Sequence, residues 1–470
     1  MSRNLPIILQ KRFSSTTSTV TIKSTPSKAH HHTPIPNSSF PKGFALTGIH
    51  CGVKKKAGVL DLGVILSISQ NPTSAAACFT RNAFQAAPVL VSQEILNKNG
   101  GRARAIIINS GCANAVTGKQ GLQDAWAMVA ATDKLLDKDA SSASSSNETL
   151  VMSTGVIGQN LPIAKILTGI NSQSPTETTS SIGSDFSAWE RAAKAFMTTD
   201  TFPKLRARTF TIREQTFRMA GMDKGAGMIH PNMGPPTTTK QLHATLLGCI
   251  LTDAAVSPRS LQSALTYAVD RSFNSISVDG DMSTNDTIVV LANGAAAAGA
   301  QEIDEEHDKE GYRIFRDELT SFAVDLAQLV VRDGEGATKF VTVSVEGATS
   351  FADAHRIAST ISTSALVKTA LYGEDANWGR ILSATGSVPL SAPLDPTRVS
   401  VTFIPADGSS VLPVLINGEP ETVDEARAKE ILSAEDFEIK VELGLGKESA
   451  KYWTCDFSYE YVRINGDYRS

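Results

Sequence analysis

The residue with the strongest chemical claim in this sequence is Thr245, which follows the small Ala244 and opens the apolar run 246–251. Attack of its hydroxyl on the preceding carbonyl would turn the Ala244–Thr245 peptide into an ester, which water can open. The freed Thr245 would carry nucleophile and base together, because an α-amine with a pKa of about 7.7 to 8.0 accepts the hydroxyl proton near neutral pH. Ala-Thr pairs are common, however, so the spacing alone also fits the ordinary start of a buried strand.

Cys112 is the main rival nucleophile, since IIINSGCANA (106–115) puts a cysteine on a tight turn directly after an apolar stretch. A reactive thiolate needs a neighbouring base, a cation or a helix N-terminus. The nearest histidine in the sequence is remote, so a small buried cysteine on a turn is the simpler interpretation.

Several familiar motifs fail at particular positions. DGDMSTND (279–286) resembles a calcium loop, but Thr284 replaces the sixth-position glycine and Val290 the twelfth-position glutamate. GEGATK (334–339) lacks the spacing of a phosphate-binding loop, and the chain has neither a GxGxxG fingerprint nor a GxSxG elbow. The sequence therefore gives no support for calcium, nucleotide or serine-hydrolase chemistry.

Composition favours small-molecule chemistry in a reducing compartment. The 470 residues are 41% hydrophobic and carry a formal net charge of -4, so they can bury one large core or two ordinary ones and offer no basic surface for nucleic acid or anionic membranes. The five cysteines are widely spaced and contain no CxxC pair, which argues against disulfides and a zinc site. No apolar run approaches the roughly 20 residues of a membrane span. We expect no metal, no nucleic acid and no membrane.

The N-terminal 40 residues differ from the rest. The first acidic residue is Asp61, whereas basic residues are scattered among many serines and threonines at Arg3, Lys11, Arg12, Lys23 and Lys28. This composition predicts a transit peptide and a mitochondrial matrix location, with residues 1–40 as a disordered leader that includes the His30–His32 tract. A disordered cytosolic tail is the alternative.

The elements that would position Thr245 alternate between strand and helix from about Pro41, which predicts a mixed α/β protein of two halves around one site. Before the candidate cut we expect a strand at 105–108, a helix at 122–136, an exposed loop at 137–149 and a helix opened by a Ser187–Glu190 capping box. Residues 209–222 predict either a strand pair or one bent strand. After it we expect a strand from Thr245, a helix from Pro258, and strands at 287–291 and 339–345.

A set of ordered motifs identifies a family resemblance over nearly the whole chain after residue 40. KGAGMIHPNM (224–233) and ATLLGCILTDAAV (244–256) resemble the processing region of the ornithine acetyltransferases, the bifunctional enzymes of the cyclic arginine pathway. The other matching segments are NSGCANA at 109, STGVIG at 153, MTTDT at 197, SVDGDMSTNDT at 277, DGEGATK at 333, LVKTALYGEDANWGR at 366 and the terminal EYVRINGDYRS.

The resemblance implies an N-terminal-nucleophile-like layered α/β sandwich that cuts itself between Ala244 and Thr245. The products would be an α chain, 41–244, and a β chain, 245–470, which stay together as two α and two β. Thr245 would take acetyl from N-acetylornithine and pass it to glutamate, with no cofactor. Family members also use acetyl-CoA as donor, and the sequence leaves open whether this chain does.

The resemblance also assigns site residues. Thr154 and Gly155 would form the oxyanion hole, and Thr198, Lys224, Thr245, Glu335, Asn465 and Ser470 would bind substrate. In this assignment Lys224 meets the acceptor carboxylate and Glu335 the amine of ornithine. A separate hypothesis places the Lys224 ammonium near the Thr245 amine, where like-charge repulsion would lower the pKa of that amine. We expect His230 to be a loop residue and not the catalytic base, because an N-terminal nucleophile carries its own base in its α-amine.

One departure from the family pattern lies directly before the cut. GPPTTTKQLH (234–243) separates Pro-Asn-Met from Ala-Thr and introduces Thr237, Thr238 and Thr239 as competing sites. We keep Thr245, since only it is followed at once by the apolar run. Two other functions stay open from the residues: an amidase or aminopeptidase of the same fold that uses water as acceptor, and an unprocessed binding or scaffold protein.

Overall fold

The computed structural model describes residues 25–136, 147–174, 177–236, 246–297, 299 and 301–466. Its helices are α1 (Ala87–Lys98), α2 (Gly118–Asp133), α3 (Ile163–Asn171), α4 (Phe186–Phe196), α5 (Pro258–Asp270), α6 (Lys309–Arg332), α7 (Phe351–Thr363), α8 (Ala365–Gly373), α9 (Trp378–Gly386), α10 (Glu425–Ser433) and α11 (Tyr459–Gly466). No helix in these ranges has both the length and the apolar character needed to cross a membrane.

The strands that precede the candidate cut are β1 (Phe44–Ile49), β2 (Leu62–Ser67), β3 (Ser74–Thr80), β4 (Ala105–Cys112), β5 (Thr149–Val156), β6 (Lys204–Ile212), β7 (Gln215–Lys224) and β8 (Met233–Gly234). Those that follow it are β9 (Leu247–Thr252), β10 (Ile276–Ser277), β11 (Thr287–Ala292), β12 (Phe340–Ala348), β13 (Ser400–Pro405), β14 (Leu412–Ile416), β15 (Glu419–Pro420), β16 (Asp436–Glu442) and β17 (Glu448–Cys455).

These strands form a first sheet, β1-β2-β4-β5, a central sheet, β6-β7-β9-β11-β3-β8, and a third sheet, β10-β17-β12-β16-β13-β14-β15. The first and central sheets enclose one apolar core together with α1 and α4, and α5 and α6 cover the other face of the central sheet. On β9, Leu247, Cys249 and Leu251 face the first of these cores, whereas Ile250 and the preceding Leu246 face the second. Burial on both faces explains why this segment is a continuous apolar run.

The central sheet joins the two predicted α/β halves. Its strands β6, β7, β8 and β3 precede the candidate cut, whereas β9 and β11 follow it. Strand β9 pairs with β7 on one side and with β11 on the other. The two parts of the chain therefore share one hydrogen-bonded sheet instead of forming two lobes.

Three of the local predictions can be compared directly with the structure. The strand pair within 209–222 is the hairpin β6–β7, and its turn residues Arg213 and Glu214 have φ values of 48° and 65°. The capping box is wrong: Asp185 caps α4 by accepting from the Ala188 N–H, because the helix begins at Phe186. Strand β4 also continues to Cys112 rather than ending before Asn109, since its pairing with β5 extends that far.

The described end of the predicted leader is packed on the folded part of the chain. Lys28 is buried and forms an ion pair with Glu435, and Phe40 stacks on Trp189 with ring centroids 4.7 Å apart. Residues 1–24 lie outside the described residues. Lys28 and Phe40 are thus buried within the range for which the composition predicts disorder, whereas most residues between them are exposed.

Asp223 lies on β7 in the middle of the central sheet, between Lys204 of β6 and Gly248 of β9. It is fully buried, and neither carboxylate oxygen has a hydrogen-bond partner among the described residues. Burial raises the pKa of Asp223 well above its usual range.

Asp223→Asn is expected to raise the thermal unfolding midpoint more at pH 8 than at pH 5. A carboxyl whose pKa rises on folding contributes full stability below its unfolded pKa of about 3.9 and loses it as the pH rises toward the folded pKa. The amide does not titrate and escapes that loss. Asp317→Asn, at a side chain that is 46% exposed, is the control. An equal shift at both pH values would contradict the assigned cause.

Candidate active site

Thr154 and Gly155 lie at the end of β5, beside Ser110 and Gly111 of the parallel strand β4. Gly155 has a φ of +127°, and a Cβ at this position would lie 2.3 Å from the carbonyl carbon of Gly111. Only glycine fits this close approach of two backbones. The two predicted oxyanion-hole residues are thus held rigidly, and Thr154 is fully buried.

Lys224 ends β7 and lies opposite Leu247, the first residue of β9, which lies in turn beside Thr287 of β11. Its Nζ is 3.3 Å from Thr154 Oγ1, and the residue is 4% exposed. Burial lowers the pKa of Lys224, and the carboxylate of Asp200 opposes that effect. The fold therefore joins Lys224 and Thr154, which are 70 residues apart in the sequence.

The predicted cleavage pair, Ala244 and Thr245, lies outside the described residues, as does Ser470. The residue bonded to Thr245 is described: Leu246 is fully buried, and its carbonyl accepts a hydrogen bond from the Thr287 N–H at 2.7 Å. Leu246 leads directly into β9, the strand whose first residue lies opposite Lys224.

Asp286 is a buried carboxyl beside this strand start. It lies in the failed calcium loop and in the family segment that begins at 277, but neither match assigned it a role. It directly precedes Thr287, and neither of its oxygens has a hydrogen-bond partner among the described residues. Burial raises the pKa of Asp286 well above its usual range, and Lys224 acts in the opposite direction. Its sequence signals are its place in that family segment and its position directly before a buried strand.

Glu335 and Asn465 form a second contact between predicted site residues. Asn465 Nδ2 donates to Glu335 Oε2 at 2.8 Å, which ties α11 to the loop after α6. The Glu335 N–H donates to the Ala226 carbonyl at 2.7 Å, and a Cβ on Gly227 would lie 2.3 Å from Glu335 Oε2. The glycines that follow Lys224 thus leave room for the Glu335 carboxylate.

Asp200 anchors two of the predicted positions through their backbone. Its Oδ2 accepts from the Thr198 N–H at 2.7 Å, and its Oδ1 accepts from the Gly225 N–H, next to Lys224, at 2.8 Å. Although burial alone would raise it, Lys204 and Lys224 hold the pKa of Asp200 below its usual range. Asp200 stands in the MTTDT motif, from which the resemblance carried over only Thr198.

Lys204 extends this anchor to the part of the chain beyond the candidate cut. Its Nζ lies 2.6 Å from both Asp200 Oδ1 and Asp333 Oδ2, and all three side chains are fully buried. Asp333 also accepts from the Thr201 N–H at 2.9 Å and lies two residues before Glu335. This buried triad, Asp200–Lys204–Asp333, connects the backbone at Thr198, at Lys224 and near Glu335. The only local sequence signal for Lys204 is Asp200, four residues before it.

The environments of Cys112 and His230 do not suit a nucleophile or its base. Cys112 is buried, its Sγ donates to the Gln159 carbonyl at 3.1 Å, and burial raises the pKa of its thiol. A thiol in this setting stays protonated, as expected of a structural cysteine. His230 lies in the loop after Lys224 with its Nδ1 3.0 Å from the Tyr452 hydroxyl, and burial lowers its pKa.

The layered α/β fold places a hydroxyl, a backbone N–H and an ammonium beside the start of a central strand, and it places the carboxylate of Glu335 against the loop that follows Lys224. These groups fit an enzyme of the acyl-transfer class. The fold class predicted from the sequence, mixed α/β with layered sheets, is confirmed. The family comparison is more specific: the ArgJ family matches residues 45–470. The chain belongs to the ArgJ family.

Three similar proteins illustrate the match, all named arginine biosynthesis bifunctional protein ArgJ, mitochondrial. The protein of Postia placenta is 74% identical and covers 100% of both chains. That of Laccaria bicolor is 73% identical over 98% of this chain and 99% of its own. That of Cryptococcus neoformans var. neoformans is 55% identical over 96% of this chain and 95% of its own.

Two similar solved structures were also found. The arginine biosynthesis bifunctional protein ArgJ of Bacillus halodurans is 38% identical, with a TM-score of 0.41, over 46% of this chain and 95% of that chain. The ornithine acetyltransferase of Mycobacterium tuberculosis, complexed with ornithine, is 32% identical, with a TM-score of 0.33, over 42% of this chain and 95% of that chain.

Proposed function

We propose that this chain cuts itself between Ala244 and Thr245 and then transfers acetyl from N-acetylornithine to glutamate through an acetyl ester on Thr245. Membership of the ArgJ family makes it an acyltransferase of arginine biosynthesis. The observation that carries the residue assignment is the contact of Thr154 with Lys224 beside the start of β9, the strand that Thr245 precedes.

The chemistry follows from the groups at this strand start. The free α-amine of Thr245 takes the hydroxyl proton, and Thr245 Oγ1 bonds to the acetyl carbonyl carbon. The resulting oxyanion is stabilised by the Thr154 hydroxyl and the Gly155 N–H, each such donor contributing about 3 to 4 kcal/mol in a comparable hydrolase. The C–N bond to ornithine then breaks, and the leaving amine takes the proton. The amine of glutamate repeats the attack on the ester and releases N-acetylglutamate and free Thr245.

The charges of the site fit N-acetylornithine, whose acylated α-nitrogen is neutral and whose δ-amine is cationic. Glu335 is 7% exposed and is held by Asn465, so its carboxylate is positioned to receive an ammonium. Thr198, fixed by Asp200, and the C-terminal Ser470 would complete the substrate contacts.

Acetyl trapping tests the proposal. With radiolabelled acetyl on N-acetylornithine and no glutamate, rapid quenching should leave label on the fragment that begins at residue 245, and added glutamate should chase it into N-acetylglutamate. Absence of label on this fragment at any quench time would overturn the ester intermediate. Release of free acetate at equal rates with and without glutamate would instead identify an amidase.

Glu335→Gln is expected to raise the KM for N-acetylornithine by about 10- to 100-fold, because a hydrogen bond to a charged group is worth about 1.5 to 3 kcal/mol. The KM for glutamate should change less than threefold, since glutamate has a carboxylate where N-acetylornithine has its δ-amine. Steady-state kinetics with each substrate varied separately give both constants, and Glu421→Gln, an exposed position away from the site, is the control. Equal increases in both KM values would contradict this division of roles.

Location, assembly and second donor belong to the same proposal. The similar proteins carry mitochondrial in their names, and the basic, acid-free N-terminal composition supports import into the matrix. We extend the proposal to an assembly of two α and two β chains and to acetyl-CoA as a second acetyl donor to glutamate. Fluorescent tagging, light scattering and N-acetylglutamate formation from acetyl-CoA test these three points.

A further inference from the structure

The hydrogen bond between Lys224 and Thr154 has a fixed direction. An ammonium has three donors and no acceptor, whereas a hydroxyl has one donor hydrogen and two acceptor lone pairs. As an ammonium, Lys224 Nζ donates, and Thr154 Oγ1, 3.3 Å away, accepts. The single hydrogen of the Thr154 hydroxyl is left to point elsewhere, and it has no acceptor among the described residues.

We propose that Lys224 acts through Thr154: its ammonium holds the Thr154 hydroxyl with the hydrogen directed at the developing oxyanion and strengthens it as a donor. This inference rests on the proposed function, in which Thr154 belongs to the oxyanion hole. Lys224 is then a positioning residue for that hole, in place of the carboxylate-binding role that the resemblance assigns to it.

The contact itself supports this role. Lys224 Nζ lies 3.3 Å from Thr154 Oγ1 and both residues are buried, so the ammonium is already engaged with the hydroxyl that the proposal assigns to the oxyanion hole. In a site of low dielectric constant, consecutive hydrogen bonds polarise one another, and a bond from a cation is about twice as strong as a neutral one. The Lys224 ammonium thus makes the Thr154 hydroxyl a stronger hydrogen-bond donor, and the effect is largest when the oxyanion forms.

The surrounding charges explain how a buried cation is kept in this position. Burial and the nearby Lys204 lower the pKa of Lys224, whereas Asp200, Asp286 and Glu335 act in the opposite direction and favour its charged form. Asp200 also accepts from the Gly225 N–H at 2.8 Å, which fixes the backbone directly after the lysine. Asp286 has no hydrogen-bond partner among the described residues, so its interaction with Lys224 is electrostatic.

A double-mutant cycle tests the proposal on the acetyl-transfer reaction. Lys224→Met and Thr154→Ala should each lower kcat by about 10- to 100-fold, as expected for loss of a charge-assisted hydrogen bond. The double variant should be within about twofold of Thr154→Ala, because the lysine has no effect without the hydroxyl. The KM for glutamate should change less than threefold in Lys224→Met, and Thr154→Ser should retain most of kcat.

Two results would overturn the inference. Losses that multiply in the double variant would mean that Lys224 acts independently of Thr154. A large rise in the KM for glutamate with kcat retained in Lys224→Met would restore the carboxylate-binding role. The two failures can be told apart. If the wild-type protein forms no acetyl ester, the proposed function itself fails, whereas multiplying losses of kcat in an active enzyme overturn only the role of Lys224.

The chain offers a matched control for burial. Lys368 is also fully buried and donates to a threonine hydroxyl, Thr454 Oγ1, at 2.9 Å, on the third sheet. Lys368→Met should lower stability while leaving kcat per labelled active site within about twofold.

For all of these variants, rates are normalised to the acetyl burst, and self-cleavage is followed by mass spectrometry. Variants that stay uncut are assayed as the two co-expressed chains 1–244 and 245–470.

Discussion

Thr245→Ala is expected to leave the chain uncut and to abolish acetyl transfer. The substitution removes the hydroxyl that attacks the Ala244 carbonyl, so no ester forms and no new N-terminus appears. Loss of a catalytic nucleophile lowers kcat by about 10⁶-fold in a well-studied protease, and a comparable loss is expected here. Denaturing electrophoresis after prolonged incubation and a coupled ornithine-release assay measure the two effects.

Thr245→Ser is the matched control, because it keeps the hydroxyl and should still cut and transfer at a reduced rate. N-terminal sequencing of the smaller wild-type fragment should read Thr-Leu-Leu-Gly. A fragment that begins at Thr237, Thr238 or Thr239 would move the cut into the inserted segment. Normal cutting of Thr245→Ala would exclude this residue as the nucleophile of processing.

Lys204→Met is expected to lower the free energy of unfolding by about 3 to 5 kcal/mol, the cost of leaving buried charges without their partner. Lys204 bonds to Asp200 and Asp333 at 2.6 Å, and both carboxylates would stay buried without the cation. The same change should impair acetyl transfer, since Asp200 fixes the backbone at Thr198 and Gly225. Denaturant titration followed by tryptophan fluorescence measures the stability.

Two variants make this prediction specific to the buried triad. Lys440→Met removes a cation that is 26% exposed and lies near Glu346 and Glu442, and it should cost less than about 1 kcal/mol. Combining Lys204→Met with Asp200→Asn and Asp333→Asn removes all three charges and should recover part of the lost stability. A triple variant less stable than Lys204→Met would show that the triad contributes mainly through its hydrogen bonds.

The parts of the fold that the sequence predicts are those with local causes. The β6–β7 hairpin and the helix from Pro258 follow from patterns confined to a few neighbouring residues. The cap of α4 was misplaced by two residues, because Asp185 and Ser187 are both good caps and only the helix start distinguishes them. The shared central sheet could not be predicted, since strand order depends on pairings between distant segments.

The site divides in the same way. The family motifs named Thr154, Lys224, Glu335 and Asn465, and the structure places them as two bonded pairs. The buried triad around Lys204 could not be predicted, because Asp200 lies four residues from the lysine but Asp333 lies 129 residues away. The contact between Lys224 and Thr154, 70 residues apart, is likewise a property of the folded chain.

The shared central sheet has a consequence for the fate of the cut protein. Strand β9 is hydrogen-bonded to β7 of the N-terminal fragment along Met219–Lys224, and β11 is bonded to β3 of that fragment along Ser74–Phe79. Separation of the fragments would open two strand interfaces and expose apolar surface on both faces of the sheet. A chain cut before β9 would therefore be two polypeptides that keep the topology of one. Each fragment purified alone should aggregate, whereas the two fragments mixed together should refold.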